Sequence, residues 1–142
     1  MPNFRDLSAY QQKSGMGHTP AYQVSSKPYA TASLTIPPTC SAPLEIEFPY
    51  ITSFITVRNT LSTAASSVPL RFGWSENGVN ALENTNYIVL NNGEAYSGKW
   101  KCTKLYLLSD IATPGSGAII AGLTSIETKN LPENWSGSIG VG

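Results

Sequence analysis

The chain has 142 residues and a formal net charge of zero, nine Lys+Arg balancing nine Asp+Glu. Charged residues make up 13%, about half the usual quarter, while 41% are hydrophobic and 10% aromatic. Such a chain fits one domain, is too apolar to be disordered, lacks a helical-bundle composition, and has no clustered cations for nucleic acid or an anionic membrane.

Residues 1–31 are mostly polar, broken by Gly15, Gly17, Pro20 and Pro28, and hold no helical or strand period. They read as an extended N-terminal arm. From Ala32 the pattern changes. Ser33–Ile36 alternates polar and apolar residues and stops at Pro37-Pro38. Leu44–Phe48 alternates strictly, which puts Leu44, Ile46 and Phe48 on one face and both Glu45 and Glu47 on the other. Phe54–Asn59 is rich in β-branched residues and predicts a strand. Thr60–Ser67 predicts a polar loop. Leu70–Trp74 alternates with Arg71 facing outward, and Asn77-Gly78 is a turn signal.

Tyr87–Leu90, the turn Asn91-Asn92-Gly93 and Glu94–Tyr96 predict a hairpin. Lys99–Ser109 predicts the longest strand, with a change of parity that suggests a bulge near Thr103–Lys104. Thr113–Gly117 predicts a turn and Ala118–Ile126 the last strand. The Gly/Ser-rich tail, 129–142, carries Trp135 and Ile139 as residues able to dock. The domain proper therefore spans 32–128. About eight short strands with turn punctuation predict an all-β fold, an eight-stranded single jelly-roll β-sandwich. An immunoglobulin-type sandwich competes, because Trp74 lies between Cys40 and Cys102.

The sequence carries little chemistry. Cys40 and Cys102 have no CxxC or Cys/His spacing, so no metal site is expected; they read as two small buried hydrophobes, with a single disulfide as the alternative. Met1–Ser14 has no apolar core of a secretory signal, which makes an intracellular protein the expectation and gives little meaning to the acceptor triplet Asn134-Trp135-Ser136. The one histidine, His18, sits in the arm and has no partner pattern for a nucleophilic triad. Asp6, Asp110 and the seven Glu form no recognisable acid pair. Gly115-Ser116-Gly117 lacks the Lys-Ser/Thr of a phosphate loop. No catalytic residue, cofactor or metal is expected, and no enzyme. Trp74, Trp100 and Trp135, with Tyr87, Tyr96 and Tyr106, are the candidates for a sugar-binding platform; the alternating pattern instead puts Trp74 and Trp100 in the core.

Four segments carry a resemblance. Phe54–Thr60 (FITVRNT), Pro69–Val79 (PLRFGWSENGV), Asn86–Glu94 (NYIVLNNGE) and Lys104–Ser109 (KLYLLS) resemble the penton (vertex) proteins of large icosahedral double-stranded DNA viruses. The segment they span is under half the chain, and its motifs are strands and turns. The resemblance implies a single jelly-roll capsid protein, present in the virion and assembled in the host cytoplasm. It implies a homopentamer at each fivefold vertex that meets neighbouring major capsid proteins and minor capsid proteins, with no nucleic acid and no membrane insertion. Tyr10, Tyr22 and Tyr29 would then be interface anchors on the arm, since Tyr is enriched at interfaces. The alternative is a jelly-roll carbohydrate- or receptor-binding module, such as a viral fibre or spike domain.

Overall fold

A computed structural model describes residues 27–81, 85–131 and 139–142. The arm up to residue 26, with Tyr10, Tyr22 and His18, lies outside the described residues, as does Trp135. The strands are β1 (Lys27–Ile36), β2 (Leu44–Glu47), β3 (Tyr50–Asn59) and β4 (Leu70–Gly73), followed by the short helix α1 (Glu76–Asn80). After it come β5 (Ile88–Leu90), β6 (Ala95–Gly98), β7 (Lys104–Ser109) and β8 (Gly115–Glu127). They form two four-stranded antiparallel sheets, ordered β1-β8-β3-β6 and β2-β7-β4-β5. The all-β expectation holds.

Four pairings nest in the chain. β1 pairs with β8, β2 with β7, β3 with β6, and β4 with β5. Two more, β3 with β8 and β4 with β7, join these pairs into the two sheets. One apolar cluster lies between the sheets. Ile36, Ile55, Val57, Ile119 and Leu123 come from the first sheet; Ile46, Leu70, Phe72, Leu105 and Leu107 come from the second. Period-two alternation supplies these residues, because every second side chain of a strand points to one face.

Several local expectations need correction. Strand β1 begins at Lys27, before the boundary expected at Ala32, so Lys27–Thr31 belong to the first sheet. Asn77-Gly78 lies inside α1 rather than in a turn. Ser75 decides this: its side-chain oxygen accepts the Gly78 N–H at 3.0 Å, an N-cap, and Glu76 sits favourably in the first turn. The hairpin expected across Asn91-Asn92-Gly93 is also absent. The turn exists, with Glu94 N–H donating to Asn91 O, but it crosses between sheets: β5 pairs with β4 and β6 with β3. Asn59, fully buried, holds the corner by donating to the carbonyls of Val68 and Leu90. Asn92 binds it from the other side, accepting from Val68 N–H and donating to the carbonyls of Ser62 and Ser66.

Gly115–Gly117 belong to β8, not to a turn. An added Cβ on Gly115 would lie 2.6 Å from Leu70 Cδ2, and one on Gly117 would lie 2.8 Å from Ile36 Cδ1. The glycines let side chains of the core close in on this strand. The long strand expected over Lys99–Ser109 is shortened to β7, and 99–103 runs irregularly. The register shifts lie instead in β1 between Thr31 and Leu34 and in β3 around Thr52. Cys40 is exposed, Cys102 is buried, and both are free thiols.

Candidate interaction surfaces

The outer faces of the two sheets differ. On the second sheet Glu45, Glu47, Lys104 and Arg71 point away from the core, and α1 lies over it. Val79 is fully buried and closes on Gly73, while Leu108 beneath is 1% exposed. Arg71 fastens this cover. Its Nε meets Asp110 Oδ1 at 2.6 Å, its NH1 donates to the Val79 carbonyl at 3.2 Å, and its guanidinium lies 4.6 Å over the Tyr87 ring. Arg71 therefore faces outward as expected, but it is engaged rather than solvated. Lys104 Nζ reaches Glu45 Oε1 at 3.3 Å, and that hydrogen bond and charge raise the lysine above its ordinary range.

The outer face of the first sheet is uncovered among the described residues and almost free of charge. Ile120 is 50% exposed, and in register it lies between Ala30 on β1 and Thr56 on β3. The Thr56 and Ser97 hydroxyls meet at 2.9 Å and continue the row onto β6. One step along, Gly122 lies between Pro28 and Phe54, the latter 37% exposed. Among Phe54–Arg58 of β3 and their paired residues on β6 and β8, Arg58 is the one charged residue. Ile120 and Phe54 therefore lie in neighbouring cross-strand rows, two large apolar side chains exposed side by side.

An aromatic group fills the end of the core near β6. Phe72 packs on Tyr96 at 5.2 Å and on Trp74 at 5.9 Å, and Trp74 meets Trp100 edge-on at 6.2 Å. Trp74 is half-buried against the core, whereas Trp100 is 50% exposed, a correction to its expected core position. The cause lies outside its own strand pattern. Thr52, fully buried, donates its hydroxyl to the Trp100 carbonyl at 2.7 Å and accepts from Cys102 N–H at 3.1 Å. These bonds hold 99–103 out of the sheet ladder. The Trp100 indole N–H then donates to the Tyr96 hydroxyl at 2.8 Å.

Trp74 also forms one wall of an open cleft of about 510 Å³, with Thr85, Asn86, Tyr87 and Ile88. Gly140 N–H donates to Asn86 Oδ1, and Asn86 Nδ2 donates to the Val141 carbonyl, so residues 139–142 lie along the rim. Ile139 stays 88% exposed and does not dock in the core. Among the described residues, no three His, Cys, Asp or Glu gather as a metal site.

Of the predicted anchors, Tyr29 is half-buried on its own domain, its ring edge-on to Phe48 at 5.1 Å. Tyr10 and Tyr22 lie outside the described residues. Sequence reasoning missed the row at Ile120 and Phe54. Its signal was the polar-site positions of β3 and β8 occupied by apolar residues. No protein-family model and no curated protein matches the chain.

Proposed function

We propose that the chain is a single jelly-roll capsid protein that assembles as a homopentamer at icosahedral vertices, against neighbouring major capsid proteins, and performs no catalysis. The nested pairing of β1 with β8, β2 with β7, β3 with β6 and β4 with β5 carries this reading. A doubled chain rolled into two facing sheets is what the jelly-roll connection requires. An immunoglobulin-type sandwich is disfavoured, since the exposed Cys40 and buried Cys102 form no bridge between sheets.

The uneven faces supply the contact. A closed ring of five uses a heterologous interface, one patch against a different patch. Ile120 and Phe54 give one apolar patch, and Val89, exposed on edge strand β5 at the outward-facing position paired with Arg71, gives a second.

Light scattering of the purified chain, with class averages of the particles, tests the proposal. The expected mass is five times the 15.2 kDa chain, with fivefold averages. Ile120→Lys is expected to release folded monomers. A folded, monodisperse wild-type monomer at several hundred micromolar overturns the reading.

A further inference from the structure

The geometry points to a guard on the longest sheet edge among the described residues: a one-residue bulge at Ser33 keeps β1 from taking up a strand of a second copy of the chain. This device is independent of the assembly the intact chain forms.

Among the described residues, β1 and β6 end one sheet and β2 and β5 end the other. An edge strand presents a row of backbone N–H and C=O groups to any extended chain. β2, β5 and β6 are four, three and four residues long, and such short edges template little. Pro43 and Pro49 also bracket β2, which carries Glu45 and Glu47. β1 differs from all three. It has ten residues, and from Tyr29 to Ile36 it holds no charge, no proline and no glycine. A neutral run of extended backbone with these features is the signature of segments that stack into shared sheets.

The bulge interrupts this run. Thr31 pairs with Ile119 and Leu34 with Gly117, three steps on β1 against two on β8, so β1 holds one extra residue. Ala32 and Ser33 are both exposed there, and Ser33 has a φ of 57°. Glycine adopts this left-handed backbone freely, whereas serine holds it under strain. The core does not demand that strain. With one residue fewer, Thr31 and Leu34 would stand two steps apart, still opposite Ile119 and Gly117 and still on the same face. What the extra residue changes is the edge. A bulge bends its strand, raises the local twist and breaks the even spacing of the ladder. An incoming strand is left with Lys27–Thr31, which opens on a charge and a proline without an N–H, or with Leu34–Ile36, which stops at Pro37-Pro38.

Light scattering, thioflavin T fluorescence and near-UV circular dichroism of the wild type and four variants test the guard. Deletion of Ser33 makes the ladder regular. It is expected to assemble beyond the wild-type mass, growing with concentration and time, with a rise in thioflavin T fluorescence. Ser33→Ile, at unchanged length, is expected to follow it, because a β-branched residue resists a positive φ. Ser33→Gly keeps the bulge and is expected to match the wild type. Adding Thr35→Lys to the deletion puts a cation on the exposed edge and is expected to return the mass to that of the wild type, a response that a misfolded chain would not give. Wild-type mass in whichever of the deletion and Ser33→Ile keeps its near-UV dichroism overturns the guard. Loss of that dichroism in both makes the extra residue a requirement of the fold and overturns it too. So does growth that Thr35→Lys leaves untouched, or growth of Ser33→Gly. Each comparison is with the wild type at its own mass, so the outcome stands whether that mass is one chain or five.

Discussion

Cys40 and Cys102 share a side chain and little else. Cys40 sits exposed in the loop after β1 with φ of 73°, a left-handed conformation that suits glycine better. Cys102 is buried beside Thr52, whose hydroxyl lies 3.2 Å from its sulfur. Burial pushes the Cys102 thiol up from its ordinary 9.0, and hydrogen bonds with Thr52 and Trp74 offset part of that rise. Thiol titration of the native protein with Ellman's reagent is therefore expected to show one fast group, abolished by Cys40→Ser, and a second released only on unfolding. The raised pKa also has a sign. The unfolded chain gives up this proton before the folded one, so the stability tied to it is full below pH 9.0 and falls above it. Denaturation midpoints of the wild type are expected to drop through the alkaline range more steeply than those of Cys102→Ala. Thr52 answers for Trp100 as well. Thr52→Val leaves the Trp100 carbonyl and the Cys102 N–H without their partner, an expected loss of about 1–3 kcal/mol in urea unfolding.

Strand β8 shows how an element depends on what faces it. The sequence around Thr113–Gly117 has every mark of a turn, yet Ser116 pairs with Thr35 and Gly117 with both Leu34 and Asn59. Only the positions of Leu70 and Ile36 reveal why glycine stands at 115 and 117. Gly115→Ala forces its methyl into Leu70, an expected loss of about 1–3 kcal/mol by thermal or chemical unfolding. Helix α1 teaches the converse. Its five residues are too few to form a helix alone. The Ser75 cap, the Arg71 bond to the Val79 carbonyl and the burial of Val79 hold it on the sheet. Ser75→Ala is expected to cost about 1 kcal/mol, read as a lower midpoint with an unchanged slope.

For the whole molecule, the asymmetry of its two outer faces matters more than the core. Among the described residues, one face carries ion pairs and a helical cover, whereas the other exposes Ile120 and Phe54 with Arg58 as the charge near them. Ile120→Lys puts a cation into the exposed centre of that face without entering the core. It is expected to leave the melting temperature of the isolated chain within about a degree or two, since surface changes stay near 0.5 kcal/mol. If the chain assembles as proposed, the same variant is expected to lower the mass to that of the single chain.

What the amino-acid order determined by itself was local. Alternation named the inward residues of β2 and β4, because the period of two belongs to the backbone of a single strand. The Asn91–Gly93 turn and the polar loop before β4 were legible for the same reason. The tertiary structure alone decided which strands pair, which sheet each joins and which aromatic stays in solvent. β5 and β6 adjoin in sequence yet lie in different sheets, and Trp100 is held out of the ladder by Thr52, 48 positions away. Such outcomes depend on contacts between distant segments, and no window of neighbouring residues contains them.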